Sequence, residues 1–292
     1  MQCLDRYQLN LLNLVSHQSE LWQAYLLQSF KNISSVRTLL RLRESMEAPL
    51  FGIADQGGYS GGFPAFHSIE EFPQLKIIET RWDIIRDELI TSNGFRELNA
   101  PHSTELGGWK GMYLNNFGWL NRTNIKASPK LVSALGEIPD VVFVALSILE
   151  PGAKLDSHWG DSNTTVRCAI GLKVPGKVPN CYLEVDGEKR SWKEGRLLLF
   201  SECYLHSAVN LTDERRVVLT IDIVRPEYSK IKSVICANVL AWQTIAMIRS
   251  LFKHPIFSSH LLTKFMLIPL ILCWRIQGIF QRTIMGEWTK AS

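Results

Sequence analysis

The sequence predicts a mainly β fold, a sandwich or jelly-roll barrel with helices flanking it at both ends of the chain. Between Val141 and Val224 it is cut into short apolar or alternating segments by Gly, Pro, Asn and Asp, with no long helix among them. Before and after that interval, longer segments carry helical character instead. With 292 residues, 46% hydrophobic and 21% charged, the chain suffices for one large domain with appendages or two small ones.

Taken in order, Leu9 to Phe30 is rich in Leu, Gln and Ser and predicts a helix, which Ser34 to Glu47 could continue. No basic patch followed by an apolar core and a cleavage site marks a secretory signal. Gly52 to Pro64, with Gly57-Gly58 and Gly61-Gly62, reads as a linker or mobile loop, and residues 1-62 are set apart from the barrel on that basis. Ile78, Trp82, Ile85 and Leu89 then recur at helical spacing and predict a helix packed on the barrel's outside. Gly107 to Leu114 predicts a strand, and Phe117 and Trp119 suit either a substrate entrance or the core. Asn124 to Leu135 predicts a short helix stopped at Ile138-Pro139.

The barrel strands follow as Val141 to Leu146, Arg167 to Val174, Cys181 to Val185, Lys189 to Trp192, Arg196 to Phe200 and Arg216 to Val224. Asp186-Gly187 is a strong hairpin signal between two of them, and Pro226 ends the last. His158 and His206 sit beside such strands, in settings that suit metal ligands better than packed core residues. Neutral imidazole binds Fe, Zn, Cu and Ni, so two on neighbouring strands make half a metal site. The six cysteines are scattered with no CxxC pair, which argues for a reducing compartment and against a structural zinc. Cys203, three residues before His206, reads as a buried thiol. There is no glycine-rich phosphate loop and no nucleophile elbow.

The series Ser147, Pro151-Gly152, His158-x-Gly160, Arg167, Gly171-Leu172, Trp192-x-x-Gly195, Phe200, His206, Arg216 and Asp222 resembles the aspartyl/asparaginyl β-hydroxylase family over roughly residues 63-228. Glu184-Val185-Asp186-Gly187-Glu188 and Asp222-Ile223-x-Arg225-Pro226 are similar to its bacterial lipid A hydroxylase branch. The resemblance implies a double-stranded β-helix, cupin-like barrel and an Fe(II)- and 2-oxoglutarate-dependent dioxygenase. His158 and His206 would bind iron, and Arg216 would pair with the distal carboxylate of 2-oxoglutarate. Arg167 and Ser147 would also contact this co-substrate. The product would be an aliphatic carbon hydroxylated with O2, in an Asp/Asn or other amino-acid or peptide unit or in a lipid acyl chain, with succinate and CO2 released.

Two positions depart from the pattern. Gly160 stands where the facial triad of non-haem iron oxygenases has a carboxylate; family members that hydroxylate Asp and Asn also have glycine there, whereas the lipid A branch has aspartate. Asp161 is one step along a strand, a slip that turns a side chain to the other face unless the chain bulges, so it reads as a turn residue and not a ligand. Ala169 replaces a histidine frequent in the family. A vacant position at iron also admits a halogenase using chloride, and a non-catalytic cupin-like binding protein is a further alternative.

Residues 229-292 form a basic, apolar helical tail with a net charge of about +7, while the rest of the chain carries about −3. Its uncharged runs, 233-248 and 265-274, are shorter than the ~20 residues of a spanning helix. Apolar runs punctuated by Lys and Arg, with Trp242, Trp274 and Trp288, suit helices on an anionic membrane surface, a cap on the barrel or a dimer interface. The expected location is cytoplasmic, peripheral on the inner face of a membrane. Basic residues interleaved with Leu, Ile and Phe argue against nucleic acid.

Overall fold

The computed structural model describes residues 47-91, 96-97 and 108-285. The expected helices between Leu9 and Glu47 lie outside them, except for Glu47 itself. The elements in chain order are β1 (Phe66–His67), α1 (Lys76–Thr80), α2 (Trp82–Ile90), β2 (Arg96–Glu97), β3 (Trp109–Asn116), β4 (Trp119–Leu120), α3 (Arg122–Lys126) and α4 (Pro129–Leu135). They continue as β5 (Val141–Leu149), β6 (Lys154–His158), β7 (Thr165–Lys173), β8 (Cys181–Val185), β9 (Glu188–Arg190), β10 (Leu197–Phe200), β11 (His206–Asn210), β12 (Arg216–Val224), α5 (Lys232–Phe252) and α6 (His260–Met285).

Two antiparallel sheets face each other as a jelly roll. The major sheet runs β1-β10-β7-β12-β5-β3-β2, with β4 paired to β3, and the minor sheet runs β6-β11-β8-β9. Side chains alternate across each strand, so the central strands β5, β7 and β12 of the major sheet each contribute to two cores. Val217, Leu219 and Ile221 of β12 join Leu146 and Ile148 of β5 and Cys168 and Ile170 of β7 on the outer face. Ile78 of α1, Ile85 and Leu89 of α2 and Leu131 of α4 cover that face, as the helical spacing predicts. The opposite face packs Leu149, Ala169, Phe200 and Val218 against Leu183, Val185 and Ala208 of the minor sheet. Asp186 and Gly187 close the β8-β9 hairpin with φ of 49° and 79°, the left-handed pair of a two-residue turn.

Three sequence expectations change. The helix expected from Asn124 to Leu135 is two helices, because Pro129 lacks an N–H and starts α4 afresh. The single helix expected over Ile78 to Leu89 is divided at Arg81, whose ψ of 15° leaves the helical region. The glycine-rich segment expected to be a linker is folded onto the barrel. Leu50 N donates to Asn163 Oδ1 at 2.8 Å, and Ile53 and Tyr59 bury against Cys203.

The tail also differs. Its helices run through their charges, so α5 and α6 are longer than the uncharged runs, and both contain segments long and apolar enough to cross a membrane. Half of that segment in the first is buried, against 6% in the second. α5 is bolted to the barrel: Trp242 occupies the space a Cβ on Gly52 would need, 2.5 Å away, at a residue whose φ of 65° also requires glycine. Gln243 Oε1 accepts from Asn116 at 3.0 Å, and its Nε2 donates to Asp161 Oδ2 at 2.9 Å. α6 lies along α5, with Trp274 Nε1 donating to Thr244 Oγ1 at 3.1 Å.

Candidate active site

β6 ends on His158 and β11 begins on His206, and the two are register partners, so sheet pairing alone brings them together. Their ring centroids are 4.2 Å apart. Nδ1 of His158 bonds the Asp156 carbonyl at 2.8 Å, and Nδ1 of His206 bonds the Tyr204 carbonyl at 2.9 Å. A carbonyl only accepts, so each Nδ1 carries a proton, and in the neutral form of the ring the lone pair is then on Nε2. Phe200 packs edge-on against His206 at 5.7 Å. Among the described residues no group of three His, Cys, Asp or Glu side chains is placed to share a metal.

Arg216, ten residues past His206, opens β12 and lies on the interior face with Val218. It is 3% exposed, its guanidinium lies 4.6 Å over the Trp192 ring, and its Nε has no hydrogen-bond partner. No carboxylate pairs with it among the described residues, and burial pulls its pKa down to about 10, still a cation at neutral pH. Ser147 is on the same interior face, in register with Val218, and its Oγ accepts from Trp109 Nε1 at 2.9 Å. Ala169 is packed in the apolar interior.

Arg167, expected to contact the co-substrate, is held by acids of its own chain. Its Nε and Nη2 form a fork on Asp222, both at 2.7 Å, and Nη2 also meets Glu202 Oε2 at 2.5 Å. Thr165 Oγ1 donates to the other Glu202 oxygen at 3.1 Å. Burial, with Asp222 and Asp161 close by, pushes the Glu202 carboxyl up to about 8 despite Arg167, while the acids raise Arg167 further above its ordinary value.

Glu202 also explains Gly160. Gly160 N donates to the Glu202 carbonyl at 2.8 Å, and a Cβ on residue 160 would stand 2.6 Å from that oxygen and 2.7 Å from Glu202 Cγ. The space of a side chain two residues past His158 is therefore filled by the turn that leads to His206. Asp161, expected as a turn residue, lies in a bend and accepts from Gln243 Nε2. Trp192 stands in the motif series, but its place under Arg216 and the ties of Glu202 to Arg167 and Gly160 depend on partners far along the chain and have no local signal.

The sequence profile described as aspartyl/asparaginyl beta-hydroxylase matches residues 79–226. The ornithine lipid ester-linked acyl 2-hydroxylase of Rhizobium tropici is 34% identical over 175 residues, covering 56% of this chain and 62% of that protein. Aspartate beta-hydroxylase domain-containing protein 2 of Homo sapiens is 31% identical over 207 residues, covering 60% and 55%. The aspartyl/asparaginyl beta-hydroxylase of Homo sapiens is 27% identical over 162 residues, covering 52% and 21%. The chain thus spans less than two thirds of the length of these relatives. A profile that runs from the end of α1 through β12, with His158, His206, Ser147, Arg167 and Arg216 inside it, leaves one conclusion: this chain belongs to the aspartyl/asparaginyl beta-hydroxylase family.

Proposed function

We propose that the chain is an Fe(II)/2-oxoglutarate-dependent dioxygenase that hydroxylates an aliphatic carbon of an amino-acid unit or a lipid acyl chain and releases succinate and CO2. The observation that carries the reading is Arg216, a buried guanidinium with no acid of its own on the barrel's interior face. Burying an unpaired cation costs several kcal/mol, a cost that an arriving anion offsets. The guanidinium fork matches a carboxylate with two parallel bonds, which fits the distal end of 2-oxoglutarate. Ser147, on the same face, would add a hydroxyl to that end.

His158 and His206 would hold iron through Nε2, each ring kept in orientation by its Nδ1–H bond to a carbonyl. When bound, Fe(II) and 2-oxoglutarate supply, with O2, the oxidising power to turn an unactivated C–H into C–OH. The chain's own part is to orient the co-substrate with Arg216 and to exclude water with Ala169, Phe200 and Val218. Arg167, through Glu202 and Asp222, fixes the turns that carry the two histidines. The reading includes a cytoplasmic location, peripheral on a membrane's inner face: α6 exposes large apolar side chains in a basic tail, and one relative is named for an acyl lipid.

Anaerobic titration with ferrous iron and 2-oxoglutarate tests the site. The wild-type chain should give the weak visible charge-transfer band of the chelate, and His206→Ala should lose it while staying folded. A folded wild type without the band, or a His206→Ala variant that keeps it, overturns the proposal. The product should gain one oxygen whether or not chloride is present.

A further inference from the structure

Arg225, the residue after β12, is a buried guanidinium to which the proposed reaction gives no part. It joins the two loops that border the candidate iron-binding histidines. Its Nε donates to the Asn163 carbonyl at 3.1 Å and its Nη2 to Ser201 Oγ at 2.7 Å. Asn163 lies five residues past His158, and Ser201 lies five residues before His206. The same loops touch directly where Gly160 N donates to the Glu202 carbonyl. The Arg225 backbone N–H adds a bond to the Thr164 carbonyl at 2.9 Å, and the guanidinium lies 3.8 Å over the Phe63 ring. One side chain thus fixes the spacing of the two loops, and with it the approach of the two imidazoles.

A further imidazole is built into this clamp. His67 of β1 is buried, and its Nδ1 bonds Glu71 Oε2 at 3.1 Å. A carboxylate only accepts, so Nδ1 carries a proton. Nε2 lies 2.9 Å from Ser201 Oγ and 3.4 and 3.5 Å from Nη1 and Nη2 of Arg225. In the neutral ring Nε2 is an acceptor facing these donors. A second proton turns it into a donor that competes with Arg225 for Ser201 Oγ and sets one cation beside another.

The charged groups that act on His67 are Glu71 from its own segment and Arg225 and Glu227 from beyond β12; Ser201, after β10, is uncharged. Burial lowers the His67 pKa and Arg225 lowers it further, while Glu71 and Glu227 oppose them. The Ser68 N–H, 2.8 Å from Glu71 Oε1, and His67 hold the Glu71 carboxyl below its ordinary value, which keeps it an anion through the mildly acidic range. A histidine with a depressed folded-state pKa favours the folded arrangement fully above its ordinary value of 6.5. That contribution is lost as pH falls through the lowered one.

We infer that Arg225 is a positioning residue for His158 and His206 and that His67 makes its clamp a pH-sensitive switch, in which the neutral ring lets Arg225 hold the two loops at iron-binding spacing and the protonated ring loosens that hold. The inference rests on the oxygenase reading and adds a control to it: acid weakens the metal site from a point outside that site.

Ferrous iron affinity of the full chain, measured without oxygen by competition with a chelator, tests this at about pH 7.5 and about pH 5, on either side of the ordinary imidazole value. Acid also weakens iron through His158 and His206 themselves, so the quantity read is the ratio of the two affinities. His67→Gln, which takes up no proton, should show a ratio about tenfold smaller than wild type, the linkage expected of one coupled proton. Glu71→Gln keeps an acceptor for Nδ1 and removes the anion that favours the charged ring, so the loss of affinity should move to lower pH. Arg225→Lys keeps the charge without the fork and should weaken iron about tenfold at neutral pH and displace the charge-transfer band of the 2-oxoglutarate chelate. Urea denaturation at both pH values identifies the folded variants, and if His67→Gln does not fold, the half-exposed Glu71→Gln decides. Equal ratios in wild type and folded His67→Gln, an unmoved profile in Glu71→Gln, or undiminished iron affinity in Arg225→Lys overturns the inference. A folded wild type that binds no ferrous iron even at neutral pH sinks the oxygenase reading instead.

Discussion

The two ends of the barrel interior carry the same residue type in opposite electrostatic settings. Beside the histidines, Arg167 faces Asp222 and Glu202 directly, with Asp161 nearby, so that end holds a surplus of acid. At the other end of β12, Arg216 is buried with no acid beside it among the described residues. The surplus of acid suits a neighbouring divalent cation, and the solitary guanidinium suits an incoming carboxylate. The difference teaches that counter-ions, and not residue type or strand position, separate an arginine that holds the protein together from one that waits for a ligand.

Breaking that contrast gives the largest effect at Arg167. Arg167→Met leaves the buried Asp222 carboxylate and the Glu202 carboxyl without their cation and should cost about 3–5 kcal/mol of folding stability in urea denaturation. Arg216→Met should do the reverse, keeping or raising the thermal midpoint while weakening 2-oxoglutarate roughly a hundredfold, from the loss of a charged fork worth about 2–3 kcal/mol. Equal stability losses in the two variants would erase the distinction.

Gly160→Asp sharpens the comparison at the acidic end. Restoring the triad's carboxylate would tighten iron in an open site, but here the new Cβ meets Glu202, so the variant should lose about 1–3 kcal/mol of stability and bind ferrous iron more weakly. Iron affinity by competition with a chelator checks it. The smallest effect is in pH. The folded-state pKa of Glu202 is raised to about 8 from its ordinary 4.5, so its contribution is full below 4.5 and is lost as pH rises through about 8. The wild-type midpoint should therefore fall more steeply than that of Glu202→Gln between about pH 5 and pH 9.

Much of the barrel was legible because alternation is a local property. Arg216 to Val224 reads as a strand from its own residues, and the structure assigns those same bounds. Asp186-Gly187 likewise announced its hairpin. The helix break at Pro129 is written in the proline itself, which has no N–H to continue the preceding turn. The packing of Gly52 is not written this way, since its glycine answers to Trp242, which no neighbour in sequence reveals. For the site, the motif series named the two histidines, Ser147, Arg167 and Arg216, but not the acids that hold Arg167, because a motif names a residue and not its partners.

By itself the sequence determined the strand pattern, the candidate histidines and the basic, apolar character of the tail, because backbone preference, side-chain alternation and charge are written residue by residue. Tertiary structure alone decided which arginine is neutralised, why position 160 has no room for a side chain, and that α5 ties α6 to the rim of the barrel. Those outcomes depend on distances between groups far apart in the chain, Arg167 to Asp222, Gly160 to Glu202 and Asp161 to Gln243, and only folding sets such distances.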